Sequence, residues 1–123
     1  MINGIINVYK ERGFTSFDVV AKLRGILHER KIGHTGTLDP EATGVLPVCI
    51  GNATKVCELL TDKDKVYRTV MHLGITTDTQ DMTGTVKEDR SREAALLKEQ
   101  TVEAAILQFV GDYEQIPPMY SAL

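Results

Sequence analysis

The run Gly33-His34-Thr35-Gly36-Thr37-Leu38-Asp39-Pro40 concentrates groups able to do chemistry. Its glycines let the backbone turn tightly and let a ligand approach closely. Pro40 stiffens the chain after Asp39 and disfavours helical geometry at the aspartate. A carboxylate held on a rigid loop can act as nucleophile or general base. It can equally do no more than bond its own backbone in a turn. His34 is open in the same way, as a ring that contacts a ligand, a base, or a surface residue. Tyr67 is either a core aromatic or a ring at a pocket edge that stacks on a planar base. Asp78 and Asp81, among threonines, read first as a loop bonding its own backbone.

Two other chemistries lack their patterns. His28, His34, Cys49, Cys57 and His72 do not fall at metal-ligand spacing, so no metal site is expected. Gly33, Gly36, Gly44 and Gly51 invite a phosphate-loop reading, but the lysine and hydroxyl that such a loop needs do not follow them. Cys49 and Cys57 are expected to be free, buried thiols.

The elements that must hold these residues are legible in outline. Gly4 to Tyr9 reads as a strand. Thr15 and Asp18 resemble a capping box, opening a helix that ends near Glu29 with Phe17, Val20, Leu23 and Leu27 on its inner face. Residues 33–44 form an ordered loop without regular structure. Val45 to Ile50 is a strand, with Pro47 expected at a sheet edge or a strand start. Asn52 can cap a short helix over Ala53 to Leu60, with Val56, Leu59 and Leu60 inward. Lys65 to Gly74 alternates as a strand, with Tyr67, Thr69, Met71 and Leu73 on one face. A polar loop spans Thr76 to Gly84, and Gly84 to Glu88 is a strand. Arg92 to Lys98 is undecided. Thr101 can cap a helix burying Val102, Ala105, Ile106 and Phe109 and closed by Gly111. Tyr113 to Leu123 is extended. Strands and helices interleave without a βαβ rhythm, which favours an α+β fold with a mixed sheet.

The 123 residues suffice for one compact domain, and no Pro/Gly linker divides residues 1–123. No apolar run reaches membrane-spanning length and no signal peptide is evident, so a cytoplasmic location and no membrane association are expected. The net charge of −3 argues against a nucleic-acid binder. Its distribution says more. Residues 1–77 hold ten Lys/Arg and eight Asp/Glu (+2), and residues 78–123 hold four and nine (−5). Lys22, Arg24, Arg30 and Lys31 make either a local basic face for a polyanion or a solvated helix face.

Gly33-His34-Thr35-Gly36-Thr37-Leu38-Asp39-Pro40-Glu41-Ala42-Thr43-Gly44-Val45-Leu46-Pro47 resembles the signature of the TruB family of tRNA pseudouridine synthases. Lys65-Val66-Tyr67-Arg68 is similar to that family's second motif. Leu73-Gly74, Thr77-Asp78-Thr79, Asp81 and Gly84 are similar to its third, and Gln115 to Leu123 to a fourth. Gly4 to Ser16 resembles its N-terminal strand and Lys-Pro-x-Gly-x-Thr-Ser segment. The resemblance covers the chain in the family's order. It implies conversion of the uridine at position 55 in the tRNA T-loop to pseudouridine, with the target base flipped out. On that resemblance Asp39 is the essential aspartate. Tyr67 packs against the base and takes part in proton handling, and His34 stacks where the base has left. Lys10, Thr37 and Asp78 are further RNA-binding candidates. Asp39 would act by covalent attack on the sugar or by abstracting a sugar proton. The reaction involves no redox change and carries no group, so it needs no cofactor.

Two departures qualify the resemblance. The family's Lys-Pro-x-Gly stands here as Lys10-Glu11-Arg12-Gly13, which predicts lower rigidity beside the loop. The arginine that pairs with the family's aspartate has no match by motif, yet a buried Asp39 needs a cation to stay charged. The chain is therefore expected to be the N-terminal part of a pseudouridine synthase α+β core with a mixed, largely antiparallel sheet, monomeric when complete. A truncated, non-catalytic RNA-binding module is the alternative. A small-nucleotide binder using the glycine loop is a third reading.

Overall fold

A computed structural model of the protein describes residues 2–117. They fall into two compact units that divide between Tyr67 and Arg68. The last residues of the fourth motif, Pro118 to Leu123, lie outside the described residues.

The first unit is a three-stranded antiparallel sheet with one helix against it. Strand β1 is Gly4–Lys10, helix α1 Ser16–Leu27, β2 Ile32–His34 and β3 Gly44–Ile50. The strand order is β1-β3-β2, so β3 is central. The alternation of β3 puts Leu46, Val48 and Ile50 on one face, where they pack with Ile32 of β2 and Val19 and Val20 of α1. Leu46 and Val48 are fully buried, each side chain contributing about 1.5–3 kcal/mol.

Helix α1 starts where the capping box predicts. Thr15 accepts from the Asp18 amide at 3.0 Å, and Asp18 accepts from the Thr15 amide at 2.8 Å. The helix stops at Leu27, because His28 turns left-handed (φ 52°). Its inner stripe is Ser16, Val19, Val20, Leu23 and Leu27. Phe17, expected inside, falls on the flank of that stripe and stays exposed, with the Arg24 guanidinium 6.0 Å from its ring centroid.

Pro47 also departs from expectation, since it lies mid-strand in the central strand, opposite Asn7 of β1. The reason is local. Its carbonyl accepts from the Thr35 amide at 3.1 Å, so its nitrogen also faces the β2 side. Strand β2 has already ended at His34. The missing N–H therefore costs no bond to β1. The loop expected over residues 33–44 begins two residues later, because Gly33 and His34 complete β2.

A 3₁₀ helix, Gly51–Val56, and helix α2, Cys57–Thr61, follow β3. Asn52 does not cap them. Its amide instead donates to Asn3 Oδ1 at 2.7 Å. Val56 and Leu59 are exposed and only Leu60 is half-buried, so the expected inward face is not formed. Gly51 has φ +61°, and a Cβ there would sit 2.4 Å from the Ile2 carbonyl.

The clean alternation of Lys65 to Gly74 does not yield a strand among the described residues, and Val66 and Val70 are almost fully exposed. Alternation supplies a face, but a strand also needs a hydrogen-bonding neighbour. In the second unit, β4 (Ile75–Thr77) and β5 (Val86–Asp89) form an antiparallel pair with an irregularity at Thr76/Thr77. Helix α3 is Ser91–Ala94, and α4 is Glu99–Leu107. Helix α4 begins before Thr101, which lies inside it rather than capping it. All described strand pairings are antiparallel, and the fold is α+β.

Candidate functional site

The loop after β2 is held by its backbone. On one flank, Thr35 is buried and its amide bonds to Pro47. In the middle, buried Ser16 at the start of α1 accepts from the Leu38 amide at 3.0 Å. Past the aspartate, the Pro40 carbonyl accepts from the Gly13 amide at 2.8 Å and from Lys10 Nζ at 3.3 Å. The Asp39 carbonyl accepts from Ala42, closing a turn at 3.0 Å. Gly13 takes φ +86°, a region most side chains avoid, and so aims its amide at Pro40.

Lys10 is central to this arrangement. It is fully buried, and its ammonium donates to the carbonyls of Phe14 (2.6 Å), Glu11 (3.1 Å) and Pro40. Its three donors are thus matched by three acceptors. The RNA-contact role expected for Lys10 does not fit this burial, since no donor is left for a phosphate. The ammonium instead gathers the segment where the family's proline is missing onto the far side of the loop. Arg12 adds an ion pair to Glu41 at 3.4 Å. The expected loss of rigidity at Glu11 and Arg12 is therefore offset by named bonds.

With the backbone so occupied, the side chains are presented outward. Asp39 and Thr37 are exposed, and His34 is half-buried. Among the described residues, no hydrogen bond or ion pair involves the Asp39 carboxylate. His34 Nδ1 lies 2.6 Å from the Gly36 carbonyl. A carbonyl only accepts, so Nδ1 carries the proton and donates it to Gly36. Lys65 leans on the same loop, its Cε lying 3.5 Å from where a Gly36 Cβ would be. Its ammonium donates to the carbonyls of Thr61 and Lys63. Tyr67 is two residues further on, 68% exposed, and makes no hydrogen bond among the described residues. The first unit thus carries His34 at the end of β2 and Thr37 and Asp39 on the loop that follows, but among the described residues gives Tyr67 no bond to them.

Asp78 belongs to the second unit. Its Oδ1 accepts from the Thr85 amide at 2.8 Å, and a Cβ on Gly84 would meet it at 2.4 Å. Asp81 accepts from the Thr83 amide, the Thr83 hydroxyl and the Thr79 hydroxyl. The Thr83 hydroxyl first, then that of Thr79, holds the Asp81 carboxyl below its ordinary range. Both aspartates thus stitch their own loop, as the threonine-rich composition first suggested. The positioning residues Ser16 and Thr35 were not singled out from the sequence. The only signal for them was their place inside the matched segments.

Among the described residues, no three His, Cys, Asp or Glu side chains gather into a group able to hold a metal. No described helix is long and apolar enough to cross a membrane.

The model of the TruB family pseudouridylate synthase N-terminal domain matches residues 24–123. The chain is 67% identical over 122 residues to tRNA pseudouridine synthase B of Lachnoclostridium phytofermentans, covering 99% of this chain and 39% of that protein. It is 53% identical over 123 residues to tRNA pseudouridine synthase B of Bacillus pumilus, covering all of this chain and 40% of that protein. The chain thus spans about 40% of the length of the curated relatives it matches. Among solved structures, a chain of a Cbf5-Nop10-Gar1 complex is similar, with a TM-score of 0.61 and 30% identity. That likeness covers 98% of this chain and 30% of the other.

Proposed function

Because the chain belongs to the TruB family of pseudouridylate synthases, we propose that it carries the active-site loop of an enzyme that isomerises uridine to pseudouridine in tRNA, at position 55 of the T-loop, with Asp39 as the catalytic carboxylate. The observation that carries this reading is an exposed carboxylate on a loop whose backbone is tied down on both sides. Such a group is free to meet a substrate, since it makes no bond among the described residues. The pre-positioned backbone lowers the entropic cost of holding Asp39 against a reacting sugar.

The chemistry breaks the bond from N1 to C1′, turns the base, and joins C5 to C1′. Asp39 suits covalent attack at C1′ or abstraction of a sugar proton. His34, with Nδ1 engaged by Gly36, presents a ring held in one orientation, suited to fill the stack vacated by the flipped base. Tyr67 would pack against that base, and Thr37 would contact RNA beside it. No cofactor is called for, and the site of action is the cytoplasm. Replacing Asp39 with Asn in the complete protein is expected to abolish tritium release from T-loop RNA labelled at uridine C5, while tRNA binding stays within about twofold. Turnover near the wild-type rate would sink the assignment.

A second reading rests on the absence of any cation within ion-pair distance of Asp39 among the described residues. In that reading the 123-residue chain binds RNA without catalysis. Tritium release by the chain alone would rule it out.

A further inference from the structure

The face of the sheet opposite α1 holds two thiols that the proposed chemistry does not use. Cys49 of β3 pairs directly with Gly33 of β2. Directly opposed residues of an antiparallel pair point to the same face, with about 4.5–5.5 Å between their Cβ positions. Cys57, the first residue of α2, lies over that spot. Its Sγ is 3.4 Å from where a Gly33 Cβ would be. Because residue 33 has no side chain, the Cys57 sulfur fills the space beside Cys49. Cys49 is completely buried and Cys57 is half-buried. Cys57 is thus the more accessible residue of the two, and Cys49 lies deeper.

We propose that Cys57 and Cys49 form a dithiol pair which a small-molecule disulfide converts to an intramolecular disulfide, fastening α2 to the sheet directly behind Gly33 and His34. The Cys57 thiolate attacks one sulfur of the external disulfide and expels one thiolate, leaving a mixed disulfide on Cys57. Cys49 then gives up its proton to solvent and attacks Cys57 Sγ, expelling the second thiolate. Two protein thiols are oxidised and one external disulfide is reduced to two thiols, so electrons balance. The order of events follows from geometry, and ionisation agrees with it. Burial first, and then the neighbouring Cys57, pushes the Cys49 thiol up to about 11, which makes it a poor first attacker. The inference does not depend on the role given to Asp39.

The test treats the folded 123-residue chain with excess oxidised glutathione, followed by acid quench and intact-mass measurement. The expected product has lost two hydrogens, carries no glutathione, and yields one cross-linked peptide joining Cys49 to Cys57. In Cys49→Ser, a single glutathione adduct should persist on Cys57. In Cys57→Ser, buried Cys49 should react at least tenfold more slowly than the wild type. Two wild-type results overturn the proposal: a glutathione adduct that persists while Cys49 stays alkylatable after denaturation, or thiols that both remain reduced. Neither depends on a variant folding. A folded Cys49→Ser chain that takes up no adduct also overturns it.

Discussion

Single side chains around the loop divide sharply by task. Lys10 spends all its donors on carbonyls, whereas the Asp39 carboxylate makes no bond among the described residues. Lys10→Met keeps the length and removes the ammonium, leaving three acceptors short of a partner. It is expected to destabilise the chain by about 2 kcal/mol or more in urea unfolding, with activity of the complete protein falling as the loop loosens. Cys49 gives a prediction with a definite sign. Its folded thiol is raised from the ordinary 9.0 to about 11. Above the ordinary value the unfolded chain loses this proton while the folded chain keeps it. The stability present below pH 9 is therefore lost as pH rises toward 11. Urea titrations at about pH 8 and about pH 10.5 should show a fall of at most about 2 kcal/mol that Cys49→Ala lacks.

At the level of elements, caps and turns make the predictions. Thr15→Ala removes half of the capping box and should cost about 1 kcal/mol, read by thermal or urea unfolding. Asp18, held below its ordinary range by Thr15, adds stability that is present near neutrality and lost as pH falls through its folded value. Gly51→Ala sets a Cβ against the Ile2 carbonyl at positive φ, so it should cost more than the cap, about 2–3 kcal/mol. The sequence made the capping box, the first strand and the glycine loop legible because each is signalled within a few adjacent residues. It misjudged elements whose outcome depends on neighbours. Pro47 is tolerated mid-sheet only because β2 ends early. Asn52 answers to Asn3, which is 49 positions away. Lys65 to Gly74 alternates like a strand without a described partner. Asp39 and His34, the residues proposed for the site, stand out in the sequence by type and place in the glycine loop. The backbone bonds that fix them, through Ser16, Thr35 and buried Lys10, required the fold.

At the level of the whole molecule, the buried apolar cluster belongs entirely to the first unit: Val19, Val20, Ile32, Leu46, Val48 and Ile50. No hydrophobic residue described in the second unit is buried. Amide exchange in the chain should accordingly be slowest in β3 and at least tenfold faster through β5 and α4, by mass or NMR detection. Equal protection across both units would contradict this. The net negative charge of the second half and the positive charge of the first confine any polyanion contact to limited patches. The RNA binding proposed above is expected to weaken steeply with added salt, because phosphate contacts dominate such affinity.

The unemployed carboxylate of Asp39 has a consequence for how variants of this protein would be found. Screens that count surviving protein in cells register folding defects, since a loss of 1–2 kcal/mol already changes abundance several-fold. Such a screen would flag Lys10, Gly13 and Gly51 and pass a change of the carboxylate alone, such as Asp39→Asn, as silent. The residue on which the proposed chemistry turns would look like the most dispensable one in its loop, and only an assay of the RNA product would reveal it.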